Sequence, residues 1–87
     1  MAGYDYTTER PYVFTEKAQP DLLKIRDTAF RLCAEAGCVR AIKLMCISGD
    51  SWQTMALIDR LVEIGDLRLI SDPKDGPWQH RVFVHET

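Results

Sequence analysis

The segment ISGDSWQTMALIDRLVEIGDL, residues 47–67, is the part of the chain that decides the predicted fold. Asp50 with Gln53 three residues later forms a capping box in which Asp takes the Ser/Thr position. Apolar residues then recur at helical spacing, and Gly65 favours a stop at about Glu63 or Ile64. The residues expected to face inward are Thr54, Leu57, Ile58, Leu61 and Val62. The segment therefore predicts an amphipathic helix with one apolar side.

A β-hairpin is predicted after this helix. LRLIS (67–71) and QHRVFVHE (79–86) both alternate apolar and polar residues with the period of a strand. The connection between them, SDPKDGPW (71–78), combines two prolines with Asp-Gly, which favours turns. It is too long for a two-residue hairpin turn, so a longer loop is expected.

An earlier helix is predicted for PDLLKIRDTAFRLCAEAG, residues 20–37, because Pro20 and Asp21 suit a first turn and Gly37 suits a helix end. Its apolar stripe consists of Leu22, Ile25, Ala29, Phe30, Cys33 and Ala36. The next segment, CVRAIKLMCI (38–47), fits either a helix or a strand. We expect an extended link at Cys38–Arg40 followed by a helix of about two turns.

The first nineteen residues form an N-terminal arm that precedes the domain predicted for residues 20–87. All three tyrosines (Tyr4, Tyr6 and Tyr12) lie in it, and the β-favouring residues 12–14 suggest an extended segment. One hypothesis is that these aromatic residues pack against the body. The alternative is an arm for dimerisation or partner binding, since tyrosine is enriched at interfaces.

Length and composition predict one small globular domain. The 87 residues are 46% hydrophobic and 28% charged, which is ordinary for a protein in water. No apolar run approaches the roughly 20 residues that span a bilayer, and the N-terminus lacks a secretory signal pattern. A cytoplasmic protein is therefore expected.

No metal, cofactor or catalytic site is expected. A zinc site would use some of Cys33, Cys38, Cys46, His80 and His85, but their spacing fits no zinc motif, and reduced thiols are the preferred interpretation. The chain also lacks a recognisable Ser/His/Asp or Cys/His motif, and its glycines are too scattered for a phosphate-binding loop. The sequence thus predicts a protein that is not an enzyme.

The helix and hairpin carry a family pattern: Leu61 four residues before Gly65, the apolar Leu67–Ile70, the tip Asp72-Pro73-Lys74-Asp75, and Arg81 on the return strand. In these features the chain resembles winged helix-turn-helix regulators of the MarR type. The resemblance implies an α+β winged-helix fold. We expect three helices and a two- or three-stranded wing, in which any third strand comes from the arm. Its shorter second helix and the missing terminal dimerisation helices suggest a minimal winged helix of phage or mobile-element origin.

The resemblance also implies double-stranded DNA as the partner, with the helix of residues 51–60 in the major groove and the hairpin reaching flanking DNA. Gln53 suits adenine and Arg60 a phosphate, although Gln53 also fits the capping box and Arg60 also fits an ion pair with Glu63. The side facing the groove should include Ala56. The candidate DNA-binding residues are Arg40, Lys43, Ser51, Trp52, Gln53, Met55, Arg60, Lys74 and Arg81.

A second hypothesis is a winged helix that binds another protein, as an inhibitor or adaptor, or pairs with a second copy of itself. The formal net charge is −2, and the cations of residues 38–65 are balanced by an equal number of carboxylates. Phosphate binding usually needs a local basic surplus. Trp52 and Met55, with Tyr4, Tyr6 and Tyr12 of the arm, would suit a protein partner better than a base edge.

Overall fold

The helices and strands form a small α+β domain in the computed structural model, which describes residues 4–45, 51–71 and 78–85. In chain order these elements are α1 (Tyr6–Glu9), α2 (Ala18–Ala36), β1 (Val39–Arg40), α3 (Ala41–Leu44), α4 (Ser51–Glu63), β2 (Arg68–Leu69) and β3 (Val82–Val84). Short 3-10 helices span Arg10–Phe14 and Trp78–His80.

The three strands form one antiparallel sheet in the order β1-β3-β2. The predicted hairpin is confirmed, with Leu69 opposite Phe83 in the pairing of β2 with β3. On the other side of β3, Val39 of β1 also lies opposite Phe83. The third strand therefore comes from the link after α2, and the prediction that the arm supplies it is wrong. Phe83 is fully buried at the centre of this sheet.

Helices α2 and α4 end where the two glycines predict. Gly37 and Gly65 have φ angles of 84° and 90°, in the left-handed region that favours glycine. Helix α2 begins at Ala18, earlier than expected, and the Ala18 N–H lies 3.3 Å from the Thr15 hydroxyl oxygen that accepts it. Pro20 still lies in the first turn, where its missing N–H costs no helical hydrogen bond.

The helix after β1 is shorter than predicted. The extended link is confirmed as β1, but α3 is a single turn that ends at Leu44, where about two turns were expected. Ala41 and Leu44 point into the core, and the Ala41 N–H donates to the Arg81 carbonyl at 2.8 Å. The capping residue Asp50 and the loop of residues 72–77 lie outside the described residues.

The arm is helical rather than extended at residues 10–14. Pro11 fits the start of a 3-10 helix, and the Thr15 N–H closes that helix on the Tyr12 carbonyl at 3.0 Å. This turn directs Val13 into the core, where its side chain is 2% exposed. Tyr4, Tyr6 and Tyr12 pack partly buried against the same core. The hypothesis that the arm packs its aromatic residues on the body is confirmed.

The core lies where α2, α4, the sheet and the arm meet. Its largest fully buried side chains are Phe83, Ile25, Leu44, Leu57, Ile58, Leu61, Val13 and Thr54. The arm thus contributes to the same core as the helices, and α1 is a fourth helix beyond the three that were expected. Within the described ranges, no helix combines the length and the apolar character needed to cross a membrane.

Replacing Val13 by Ala should lower the free energy of unfolding by about 1.5–3 kcal/mol, because it removes buried methyl groups and leaves a void. Urea denaturation followed by circular dichroism measures this change. Leu23→Ala is the matched control, because Leu23 is an apolar residue that is 49% exposed on α2. Equal stability of the Val13→Ala variant and the wild type would show that the arm is not part of the core.

Candidate nucleic-acid interface

Helix α4 is covered on two opposite sides. Thr54, Leu57, Ile58 and Leu61 share one side at i, i+3, i+4 and i+7 spacing, and all four are buried in the core. Trp52, Ala56, Asp59 and Glu63 share the opposite side at i, i+4, i+7 and i+11 spacing. We call this second side the outer face of α4. Of these residues, Trp52 and Ala56 were predicted to face a DNA groove.

The arm lies on the outer face. Ala56 is fully buried, although it was predicted to lie on the groove side. That prediction is wrong because the arm contacts Asp59 and Glu63, which lie three and seven residues after Ala56 on the same side. Ala56 is therefore buried on a side of α4 that the sequence predicted to face solvent.

Tyr4 connects α4 to the 3-10 turn that precedes β3. Its hydroxyl donates to Oδ2 of Asp59 at 2.6 Å. Its ring meets Trp52 and Trp78 edge to face, with centroids 6.5 Å and 5.9 Å away. Burial, together with the Asp59 carboxylate, raises the pKa of Tyr4 well above its usual range. Tyr4 therefore stays a neutral hydrogen-bond donor.

Asp59 is the half-buried acid of this contact. Burial raises its pKa above the ordinary aspartate value, while the Tyr4 hydroxyl and the Arg81 guanidinium act in the opposite direction. Arg81 itself lies half-buried, with its guanidinium carbon 5.2 Å from the Trp78 ring centroid. The Arg81 guanidinium therefore packs against the Trp78 ring and does not extend alone into solvent.

Glu63 joins the arm to the last turn of α4. Its carboxylate accepts hydrogen bonds from Arg10 Nε at 3.0 Å, Arg60 Nη1 at 2.7 Å and the Tyr6 hydroxyl at 2.9 Å. These three donors, Arg10 first, lower the pKa of Glu63 to about 2. Burial and the bond to Glu63 raise the pKa of Tyr6 to about 12. The ion-pair alternative for Arg60 is confirmed.

Phe14 contacts both arginines of this cluster. The guanidinium carbons of Arg10 and Arg60 are each 4.9 Å from the centroid of its ring. Such contacts contribute modestly where they are exposed, and the ring is 54% exposed. The cluster of Tyr6, Arg10, Phe14, Arg60 and Glu63 thus joins arm and helix through charge as well as apolar contact.

The remaining candidate residues lie on several surfaces. On α4, Ser51 and Trp52 are exposed, while Gln53 and Met55 are half-buried. Arg40 on β1 and Lys43 on α3 are exposed and border an open hollow of about 330 Å³ whose other walls are largely apolar. Lys74 lies outside the described residues. The structure therefore brings Trp52, Arg60 and Arg81 to the arm contact, and Arg40 with Lys43 to the hollow.

The described thiols and histidines lie in different surroundings. Cys33 is buried and Cys38 half-buried, both as free thiols, and Cys46 lies outside the described residues. His85 stacks on Phe30 with ring centroids 3.7 Å apart. Among the described residues, no three His, Cys, Asp or Glu side chains are grouped so that they could hold a metal ion.

Sequence reasoning missed Arg10 and Phe14 as contributors to this surface. It paired Glu63 only with Arg60 and gave Asp59 no contact with the arm. Arg10 and Glu63 are 53 residues apart in the chain. No local spacing links such distant residues, so the pairing has no signal in a single sequence. The one available hint was the concentration of tyrosines in the arm.

Comparison with known proteins adds no relative. A scan against protein-family models finds no match, and searches of curated proteins and of solved structures find no significant match. The function must therefore be inferred from the chain's own residues.

Replacing Glu63 by Gln should destabilise the protein most above pH 4.5 and least near pH 2. The folded-state pKa of Glu63 is lowered from its ordinary value of 4.5 to about 2, so its contribution is present above the unfolded value and lost as pH falls through the folded one. Denaturation of both proteins across this range measures the difference. A difference that does not depend on pH would contradict the assigned pKa.

Replacing Tyr4 by Phe should raise the pKa of Asp59 further, because the lost hydroxyl is a donor that stabilises its carboxylate. Carboxyl-carbon NMR titration measures this pKa directly. Tyr6→Phe is the matched control, since it should shift Glu63 upward and leave Asp59 unchanged. An unchanged Asp59 in the Tyr4→Phe variant would show that the hydrogen bond does not persist in solution.

Proposed function

We propose that this chain is a winged-helix domain that binds double-stranded DNA and acts as a small transcriptional regulator, MarR-like in α4 and the hairpin. The observation that carries the proposal is the topology. The order α2-β1-α3-α4-β2-β3, with sheet order β1-β3-β2, is the order expected of a winged helix. Fold alone does not establish function, so the proposal depends on the residues that the fold brings together.

Helix α4 is the element that would enter the major groove, with the β2–β3 hairpin as the wing beside it. Tyr4 contacts both Trp52 on α4 and Trp78 before β3, which supports a common surface for helix and hairpin. Gln53 would contact adenine and Ser51 a phosphate near the start of α4. Lys74 would extend the contact from the wing tip.

Contacts to the DNA phosphates would come mainly from Arg40 and Lys43. Both side chains are exposed, and the two residues are three apart in the chain. Arg60 and Arg81 add charge close to α4, but each is held partly inside the protein by Glu63 and Trp78 respectively. With a net charge of −2, the affinity must depend on a few local cations.

A second candidate function is binding of another protein, including a second copy of the chain. The observation that favours it is the arm on the outer face of α4, which leaves Trp52 43% exposed at the edge of an aromatic cluster. Exposed tryptophans are common anchors of protein interfaces. A pull-down with wild-type protein and a Trp52→Ala control, together with light scattering for self-association, would detect such partners.

DNA binding is tested by titrating the protein into a labelled mixed-sequence duplex at low and then moderate salt, with fluorescence anisotropy as the readout. We expect binding that weakens as salt rises. The Arg40→Ala/Lys43→Ala variant should bind more weakly, and its slope of log affinity against log salt should be shallower by about 2, because about one phosphate contact is lost per residue.

Arg31→Ala is the control for this titration, because Arg31 is exposed on α2 and outside the proposed surface. It should leave the salt slope nearly unchanged. Absence of binding at low salt, both by the wild type and by an Arg10→Ala variant in which the arm contact is weakened, would rule out the DNA-binding proposal and leave protein recognition as the function to pursue. Equal slopes for both variants would show that Arg40 and Lys43 do not contact the phosphates.

A further inference from the structure

We propose that residues 4–14 form an autoinhibitory strap, which covers the outer face of α4 when docked and must move away before α4 can enter DNA. This inference rests on the proposed DNA-binding function. It adds that the protein has a closed state and an open state, of which only the open state binds. The strap is defined by these residues throughout.

The strap blocks α4 along most of its length. Its side chains contact Trp52 in the first turn, Asp59 near the middle and Glu63 at the end of the helix. These residues lie opposite the core side of α4, so they are on the side that would have to face the bases. A major groove about 12 Å wide admits one helix, and it does not also admit a strap along the outside of that helix.

The strap and DNA would compete for the same atoms. The carboxylates of Asp59 and Glu63 accept from Tyr4, Tyr6 and Arg10 in the closed state. In a major groove, carboxylates of this kind can accept from the amino group of cytosine. Closure therefore occupies the acceptors as well as the space.

The strap is built to be released from its N-terminal end. Helix α1 contains no fully buried residue, and the ion pair between Arg10 and Glu63 is exposed. Exposed ion pairs contribute little stability individually. Val13 is buried in the core and would keep the far end attached while residues 4–10 move. The contacts of residues 4–10 are thus the ones that set the closed fraction.

The decisive variant is Arg10→Ala in the full chain. A general electrostatic effect would weaken DNA binding, because the variant loses one positive charge. Loss of the strap contact should instead strengthen DNA binding. It raises the fraction of molecules in the open state, and the apparent affinity is proportional to that fraction. We expect binding to become tighter by about two- to fivefold, the range that the loss of one exposed ion pair supports. The Arg31→Ala variant loses a positive charge at an exposed position of α2, and it should bind DNA no more tightly than the wild type.

Strap position has its own readout, independent of DNA. The chain contains two tryptophans, and both contact the Tyr4 ring. Intrinsic tryptophan fluorescence should therefore change when the strap opens, in Arg10→Ala and in Tyr4→Ala. Circular dichroism verifies that each variant remains folded. Tyr4→Ala tests the same opening from the other contact, with the same expected direction of change in affinity.

Changed fluorescence together with tighter DNA binding in both variants would support the strap. Changed fluorescence with unaltered or weaker binding would overturn it, while DNA binding by the wild type would leave the proposed function intact. Unchanged fluorescence in both variants would also overturn it, because the contacts would not control the position of the arm. If neither the wild type nor any variant binds duplex at low salt, the proposed function and the strap both fail.

Discussion

Burial of α4 on two opposite sides is the constraint on which the rest of the structure depends. Leu57 and Leu61 place one side in the core, while Ala56 is buried under the arm on the other. Alanine has the smallest side chain with a Cβ, and it allows another segment to approach a helix closely. Since Val13 of the arm is buried in the same core, the arm and α4 stabilise each other.

The charged side chains on the outer face of α4 are paired with other residues of the same chain. Arg60 and Arg10 both bind Glu63, and the Asp59 carboxylate is held by the Tyr4 hydroxyl near Arg81. A count of cations in the sequence therefore overestimates what this helix presents to a phosphate backbone in the closed arrangement. Arg40 and Lys43, on β1 and α3, are exposed and border the apolar hollow instead. The cations that hold the arm and those that border the hollow therefore lie on different elements.

The position of the arm decides whether the molecule presents a surface suited to a protein or a surface suited to DNA. With the arm docked, the molecule presents an aromatic edge at Trp52 and a polar cluster around Glu63. With the arm displaced, it would present the full outer face of α4 beside the hairpin. A single equilibrium between these arrangements would therefore decide which surface is available, and the hydrogen bonds of Tyr4, Tyr6 and Arg10 set its position.

The sequence by itself determined the elements whose signals are local. Helical spacing predicted α2 and α4, two glycines predicted their ends, and alternation predicted the hairpin of β2 and β3. Each signal involves residues within a turn or two of one another, so it survives without knowledge of the fold. Tertiary structure alone decided that β1 completes the sheet, that the arm is helical and that Ala56 is buried. These features depend on contacts such as Tyr4 with Asp59, 55 residues apart, and no local spacing encodes a contact over that distance.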